Sequence, residues 1–200
     1  EETDKITKQI DFLVSCSKAQ GCDQEEDFIF LPDHKNDLNK LEEYSNKALD
    51  LGFDFIIFVG IGGANLGVMT VCNALSPDKE IFFLENIDPD YNSEVFTKIK
   101  REYDNGRRAV FITASKSGMT SETMSNFVTT LALFKELEKD WQKRSFVTTV
   151  EGSPLEEIAK REQLNILHTN ELLVDRYSVF GIGSLFALQL AGVNVSQLLS

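Results

Sequence analysis

Cysteine and histidine are scarce in this sequence. The three cysteines are Cys16, Cys22 and Cys72, and the two histidines are His34 and His168. No spacing among these residues is typical of a zinc site, and an odd number of cysteines does not form a complete disulfide framework. We therefore expect no metal, cysteines that are free and buried as small apolar side chains, and a reducing, cytoplasmic setting.

Long hydrophobic runs are also missing. No apolar run approaches the roughly 20 residues that span a bilayer, so we expect no contact with a membrane. The first residues, EETDKITKQI, lack the basic and then apolar pattern of a secretion signal. The sequence begins without methionine and stops directly after AGVNVSQLLS. We accordingly expect a soluble, unsecreted chain that is a piece of a longer polypeptide.

Positively charged residues are also fewer than negatively charged ones. The chain has 20 Lys plus Arg against 32 Asp plus Glu, which gives a formal net charge of −12. Such a charge disfavours nonspecific binding to nucleic acid, and we expect no nucleic-acid partner. A bound anion would need a local site, built from helix N-termini and a few cations.

Short apolar runs rich in β-branched and aromatic residues alternate with helical patterns from residue 54 onwards. The runs predict strands at 54–60, 80–86, 108–115, 144–150 and 164–169. The other segments predict helices at 65–75, 91–103, 120–139, 154–162 and 179–190. Nearly continuous apolar strands between helices are typical of a parallel sheet that is covered on both faces. We therefore predict an α/β fold, a three-layer α/β/α sandwich with a five-stranded, mainly parallel sheet.

The amino-terminal part has helical patterns as well. Apolar residues recur at helical spacing within residues 3–19, and a second pattern at 38–49 is followed by Gly52 as a C-terminal cap. We expect both helices to pack against the sheet. The predicted division is an N-terminal helical segment with a connector at residues 1–39 and one larger domain at residues 40–200.

Two loops that follow predicted strands have unusual compositions. The first, VGIGGANLG, contains the glycines Gly60, Gly62, Gly63 and Gly67. Glycines at such a turn let the backbone approach a ligand closely. A dinucleotide-binding fingerprint is one interpretation, with Glu85 at the end of the next strand as the ribose-binding acid, but Asn65 stands where its third glycine would be. A purely structural tight turn is another interpretation.

The second loop, SKSGMTSET, is rich in hydroxyl groups at the start of a predicted helix. The hydroxyl residues are Ser115, Ser117, Thr120, Ser121 and Thr123. Gly118 frees the backbone and Lys116 supplies a positive charge. A phosphate group needs such hydroxyls, together with first-turn N–H groups and the positive end of a helix dipole. The spacing differs from that of a nucleotide P-loop, so we predict a monophosphate. The alternative is that these residues only cap the helix, with Glu122 in its first turn.

Taken together, several segments resemble the amino-terminal sugar isomerase (SIS) domain of the glucose-6-phosphate isomerase family. They are VGIGGANLG, ENIDPDYN, ITASKSGMTSET and DRYSVFGIGSLFALQLAG. The bacterial motifs G-I-G-G-S-x-L-G, S-K-S-G-T-T-x-E-T and G-G-R-[FY]-S-V look most similar, and the resemblance covers about residues 40–195. It implies a flavodoxin-like or Rossmann-like SIS domain within residues 40–200, a small-molecule sugar phosphate as ligand, and a homodimer in the full-length family.

The resemblance also assigns roles to individual residues. It implies that the phosphate is bound by Ser115, Lys116, Ser117 and Thr120, and that the sugar is lined by Gly62, Gly63 and Ala64. Arg176 matches the family's active-site arginine, whose fixed charge would stabilise the enediolate that forms as a proton moves between C2 and C1. The implied reaction interconverts glucose 6-phosphate and fructose 6-phosphate, and proton transfer of this kind requires no cofactor.

Several positions depart from the family motifs. Ala64 stands where the family has a serine that touches the sugar, and Met119 stands where a hydroxyl residue is usual. Val174 and Asp175 replace two glycines, so a positive φ would be costly for the valine, and Asp175 would neutralise Arg176 by pairing with it. These departures support an alternative, a non-catalytic regulatory SIS module that binds a sugar phosphate, or a degenerate paralogue.

The resemblance places the remaining catalytic groups outside this sequence. The family's proton-transferring glutamate, its ring-opening histidine and a further lysine would lie beyond residue 200. Neither His34 nor His168 falls in a matching motif, and we expect both to be structural or exposed. The chain is therefore expected to bind its substrate without turning it over.

Overall fold

The sheet contains the five predicted strands. The computed structural model describes residues 2–19, 25–33 and 35–200, so Cys22 and His34 lie outside the described residues. The strands are β1 (Phe55–Val59), β2 (Ile81–Leu84), β3 (Ala109–Ala114), β4 (Ser145–Thr149) and β5 (Asn165–His168). Their order is β2-β1-β3-β4-β5, and each neighbouring pair is parallel. The predicted parallel sheet is thereby confirmed.

Helices connect the strands as the sequence predicts. In the described part of the chain they are α1 (Glu2–Ala19), α2 (Lys35–Leu49), α3 (Gly63–Leu75), α4 (Pro89–Asp104), α5 (Ser121–Leu137), α6 (Trp141–Arg144), α7 (Pro154–Glu162), α8 (Ile182–Ala191) and α9 (Val195–Leu198). Two 3-10 helices span Glu25–Asp33 and Asp175–Phe180. None of the described helices is both long and apolar enough to cross a membrane.

The last predicted helix, at 179–190, is divided in two. Gly181 has extended backbone angles, φ −75° and ψ 154°, between the second 3-10 helix and α8. A Cβ atom on Gly181 would lie only 2.6 Å from Leu173 Cδ2, so this glycine also permits a close approach of the preceding loop. The prediction of one continuous helix was therefore wrong at its first turn.

Each face of the sheet has its own apolar core. Within β1, Ile56 and Phe58 pack in one core with residues of α2, α3 and α8. Phe55 and Ile57 point the other way and pack with residues of α4, α5 and α7. Because both sets are buried, β1 reads as an unbroken apolar run rather than an alternating one. The three-layer α/β/α arrangement is confirmed.

The two amino-terminal helices differ in their packing. Leu41 of α2 is buried in the core that contains α8, as expected for a helix that covers the sheet. In α1, Ile6, Ile10 and Val14 are 57%, 54% and 46% exposed. The expectation of packing is thus correct for α2 and wrong for α1, whose contacts include the first 3-10 helix. A helical pattern predicts which side of a helix is apolar but not whether that side is covered.

The strand order creates a crevice beside β1. Since β1 lies between β2 and β3, the chain leaves β1 towards one face of the sheet through α3, and leaves β3 towards the other face through α5. In open α/β sheets, ligands bind at this kind of switch point, outside the carboxyl ends of the strands. Both unusual loops of the sequence begin there.

Candidate ligand-binding site

The loop that follows β3 is fastened to β4 by its backbone. The N–H of Ser115 donates to the carbonyl of Thr148 at 3.0 Å. The carbonyl of Lys116 accepts from Thr149 Oγ1 at 3.1 Å. These bonds fix the first residues of the SKSG segment at the carboxyl edge of the sheet.

Gly118 completes this path beside α7. Its φ is +62°, and a Cβ atom there would lie 2.8 Å from Leu155 Cβ and 2.9 Å from Ser153 Oγ. Glycine is needed both for the positive φ and for the close approach to α7. The loop is consequently shaped before any ligand arrives.

The hydroxyl groups of this loop have different environments. Ser115 is 6% exposed, and its Oγ has no hydrogen-bond partner among the described residues. Ser117 is exposed, and its Oγ accepts from the N–H of Met119 at 3.2 Å. Thr120 is the N-cap of α5, yet its exposed side chain makes no capping bond. The alternative that Thr120 serves to cap the helix is thus not what the structure shows.

Among the described helices, α4, α7 and α9 have side-chain caps, whereas α3, α6 and α8, like α5, have none. Asp88 accepts from the N–H of Tyr91 at the start of α4, at 2.9 Å, and Ser153 accepts from the N–H of Glu156 at the start of α7, at 3.1 Å. The first N–H groups of a helix have no acceptor within the helix, so an uncapped start leaves donors available. The start of α5 is uncapped, and its dipole favours an anion at that point.

The glycine-rich loop after β1 has a mixed character. Gly62 is the N-cap of α3 with φ +60°, and the carbonyl of Gly63 accepts from Ser178 Oγ at 3.3 Å. A Cβ atom on Gly67 would lie 3.0 Å from Val179 Cβ, so Gly67 serves packing between α3 and the second 3-10 helix. The interpretation of this loop as a tight structural turn therefore holds for Gly67. Gly62 is exposed and Gly63 is half-buried, at the carboxyl end of β1.

Asn65 and Glu85 form a bonded pair behind this loop. Asn65 is 1% exposed, and its Nδ2 donates to Glu85 Oε2 at 3.0 Å. Glu85, the acid that a dinucleotide site would use for ribose, thus already has a partner within the protein. This contact and the missing third glycine both weigh against the dinucleotide interpretation.

A small cavity of about 30 Å³ lies at the carboxyl ends of β3 and β4. Three of the predicted residues line it, Ala64, Ser115 and Lys116. The sequence analysis missed Thr148, Thr169, Ser178, Gly181, Gly183 and Ser184, which also line it. These residues lie near the ends of β4 and β5 or around the start of α8. The parallel sheet predicts that the ends of β4 and β5 lie at this edge, since carboxyl ends of parallel strands share one edge, but it does not predict which side chains face the cavity or where the start of α8 lies.

Arg176 occupies a more open position than Ser115 and Lys116. It lies in the 3-10 helix Asp175–Phe180, is exposed, and is not among the described residues that line the cavity. Val174, which precedes this helix, has φ −78° and ψ 127°. Extended angles suit a β-branched residue, so the expected strain from replacing a glycine with Val174 does not arise.

His168 lies in a polar cluster around the Glu156 carboxylate. Its Nε2 lies 2.6 Å from Glu156 Oε1, and Lys160 Nζ lies 2.8 Å from the same oxygen. The hydrogen bond from Lys160, then those from the N–H of Gly152 and from His168, lower the pKa of Glu156 to about 2. His168 is exposed and structural, as predicted. In the described ranges no group of three or more His, Cys, Asp or Glu side chains is placed to hold a metal ion.

Comparison with known proteins identifies a family for most of the chain. The family model for phosphoglucose isomerase matches residues 44–200. A probable glucose-6-phosphate isomerase of Haloquadratum walsbyi is 33% identical over 147 residues, 72% of this chain and 33% of that protein. The glucose-6-phosphate isomerase of Rubrobacter xylanophilus is 33% identical over 186 residues, 86% of this chain and 42% of that protein. The chain therefore spans less than half the length of these relatives.

Solved structures agree with that assignment. A glucose-6-phosphate isomerase from Chlamydia trachomatis superposes with a TM-score of 0.68 and 27% identity, over 79% of this chain and 30% of that chain. A hypothetical protein from Thermus thermophilus has the same fold, with a TM-score of 0.75 and 22% identity over 98% of this chain and 48% of that chain. With its fold, its ordered motifs and the match over residues 44–200, this chain belongs to the phosphoglucose isomerase family.

Proposed function

We propose that this chain is the sugar-phosphate-binding domain of a glucose-6-phosphate isomerase. Its ligands would be glucose 6-phosphate and fructose 6-phosphate, which the complete enzyme interconverts through an enediolate. The observation that carries the proposal is that the buried Ser115 hydroxyl, which has no partner among the described residues, lies close in sequence to the uncapped start of α5. Within the described ranges, the buried hydroxyls of Ser45, Thr113 and Thr130 also have no partner. Ser115 differs from them because it lines a cavity that is open to solvent and precedes the uncapped start of α5, and this position favours a ligand.

The phosphate would lie at the start of α5. Ser115, Ser117 and Thr120 would supply hydroxyl donors, and the first-turn N–H groups of α5 would supply backbone donors. Lys116, which is partly buried, would supply the positive charge. Because the chain carries a net charge of −12, this local arrangement rather than a general field must attract the anion.

The sugar would extend from this loop towards Gly62, Gly63 and Ala64. Arg176, as an always-charged guanidinium, would stabilise the enediolate in the complete enzyme. The proton-transferring groups would come from the part of the longer polypeptide that this chain does not contain. We therefore expect this chain to bind both sugar phosphates without interconverting them.

A non-catalytic regulatory module is the second candidate function. Ala64 favours it, because it lines the cavity with a methyl group where a hydroxyl would hold the sugar. Both candidates predict binding by this chain. They differ in the longer polypeptide, which would isomerise fructose 6-phosphate in the first case and only bind it in the second.

Calorimetric titration tests the binding site. The wild-type chain is titrated with fructose 6-phosphate and, separately, with fructose, and the double variant Ser115→Ala with Thr120→Ala is titrated in the same way. We expect binding that requires the phosphate and a loss of about tenfold or more in the double variant, since hydrogen bonds to charged groups are each worth roughly 1.5–3 kcal/mol.

A matched control removes two exposed hydroxyls from helices instead. Thr70 and Thr97 each bond the carbonyl four residues earlier, in α3 and α4 respectively. Thr70→Ala with Thr97→Ala should leave the affinity unchanged. Equal binding of fructose and fructose 6-phosphate, or full affinity in the Ser115 and Thr120 double variant, would contradict the proposed site. Conversion of fructose 6-phosphate by the chain alone, followed by NMR, would contradict its assignment as a binding domain only.

A further inference from the structure

A second buried hydroxyl without a partner among the described residues lines the same cavity as Ser115. Thr148, in β4, is 5% exposed, and its Oγ1 has no hydrogen-bond partner in the described part of the chain. Thr148 and Ser115 both line the 30 Å³ cavity and are joined by a backbone hydrogen bond. A buried hydroxyl without a partner lowers stability by about 1–3 kcal/mol, so two of them in one cavity need an explanation.

The neighbouring threonine shows what a structural hydroxyl looks like in this sheet. Thr149 is also buried, but its Oγ1 donates to the carbonyl of Lys116 at 3.1 Å and lies 2.7 Å from Ser153 Oγ. The two threonines are adjacent and point to opposite faces of the sheet. Of these two hydroxyls, the one that faces the cavity is the one without a partner among the described residues.

The start of α8 forms the opposite wall of the cavity. A Cβ atom on Gly183 would lie 2.5 Å from Thr148 Cγ2 and 3.2 Å from Thr148 Oγ1, so only glycine lets α8 come this close. The N-cap of α8 is Gly181, which has no side chain to bond the first-turn N–H groups. The first N–H groups of a helix have no acceptor within the helix, and Gly183 and Ser184 of this first turn line the cavity.

We propose that Thr148 forms a subsite for one hydroxyl group of the bound sugar phosphate, next to the phosphate that Ser115 and the start of α5 would hold. This inference rests on the proposed function. The cavity of about 30 Å³ has room for one or two water-sized groups, each of which needs roughly 10–15 Å³, and a sugar hydroxyl is a group of that size. Serine and threonine hydroxyls both donate and accept, as a sugar hydroxyl does.

The consequence is selectivity for the sugar. A site that bonds a ligand hydroxyl discriminates against an analogue without it, because the buried groups of the site are then left unpartnered. Thr148 is accordingly a specificity-determining residue. The loop of residues 115–120 would bind the phosphate group that all phosphorylated ligands share.

The variant Thr148→Val tests this inference with two readouts. Valine keeps the shape and removes the hydroxyl. Because Thr148 Oγ1 has no partner among the described residues, the free energy of unfolding should stay equal or rise, as measured in urea. The Kd for fructose 6-phosphate should rise about tenfold, which corresponds to about 1.4 kcal/mol. The Kd for inorganic phosphate, obtained by competition, should change by less than about twofold, since that ligand has no sugar hydroxyl.

Two threonines provide matched controls. Thr113 is fully buried and its Oγ1 is unpartnered within the described ranges, but it does not line the cavity, so Thr113→Val should leave the Kd unchanged. Thr149→Val removes a bonded hydroxyl and should lower the free energy of unfolding.

A Thr148→Val chain that is less stable, or that keeps full affinity for fructose 6-phosphate, would overturn the assignment of Thr148. An equal loss of affinity for inorganic phosphate would overturn the assignment to a sugar hydroxyl. If the wild-type chain bound neither ligand, the proposed function would fall together with this inference. Binding by the wild-type chain that Thr148→Val retains would overturn the inference alone.

Discussion

The helices α5 and α7 begin at the same edge of the sheet but differ in whether a side chain caps the N–H groups of the first turn. In α7, Ser153 accepts from the N–H of Glu156, and the Glu156 carboxylate accepts from the N–H of Gly152 at 2.8 Å. In α5, the side chain of Thr120 accepts no such bond. Both N-caps carry a hydroxyl, so the residue type does not distinguish them. A closed start stabilises the fold, and an open start is available to an anion.

We expect the largest loss of stability at Gly118, where the loop before α5 contacts the start of α7. Gly118→Ala would force a Cβ atom to within 2.8 Å of Leu155 Cβ on α7, at a position with φ +62°. The strained φ and the overpacking together should lower the free energy of unfolding by about 3 kcal/mol, measured in urea. Gly106→Ala is the control, since φ there is +79° but no heavy atom lies within 4 Å of the new Cβ. It should cost about 1 kcal/mol, and equal losses at both positions would contradict the close contact.

A smaller effect separates the two N-caps. Ser153→Ala removes the cap of α7 and should lower the free energy of unfolding by about 1–2 kcal/mol. Thr120→Ala removes a side chain that caps nothing and should change it by less than about 0.5 kcal/mol. Thermal or urea unfolding of the two single variants provides the comparison. A Thr120 variant as unstable as the Ser153 variant would show that α5 is capped after all.

The smallest effect concerns pH. The pKa of Glu156 is about 2 in the folded protein, below its usual value of 4.5, so the unfolded chain binds the proton more readily. Glu156 therefore stabilises the fold above about pH 4.5, and this contribution is lost as the pH falls towards 2. Glu156→Gln should flatten the dependence of unfolding on pH in that window, whereas Glu157→Gln, at an exposed position of the same helix, should retain it. An unchanged slope in the Glu156 variant would count against the network with Lys160 and His168.

The strands and most helices could be predicted because they depend on local patterns. Buried parallel strands are apolar runs of characteristic length, and the helices between them repeat every three or four residues. The exposure of Ile6, Ile10 and Val14 could not be predicted, because a pattern does not say what lies opposite. The break at Gly181 depends on the position of Leu173, which is equally remote from any local signal.

The candidate site was predictable in part. Ser115 and Lys116 were found because the loop composition is unusual, and Ala64 because the resemblance to the family places that position at the sugar. Thr148 was missed, since Thr148 and Thr149 are the same residue type and only their partners differ. Which hydroxyl is satisfied depends on Ser153 and on the Lys116 carbonyl, and thus on the assembled fold.

Amide NMR of the chain labelled with ¹⁵N offers the most direct test of the central claim, that the open start of α5 binds the phosphate of a sugar phosphate. On titration with fructose 6-phosphate, we expect saturable shifts at the N–H groups of residues 115–123. We expect little change at the N–H of Glu156 in α7, which the Ser153 side chain caps. Saturable shifts elsewhere with none at the start of α5, or no shifts at any ligand concentration up to millimolar, would contradict that claim.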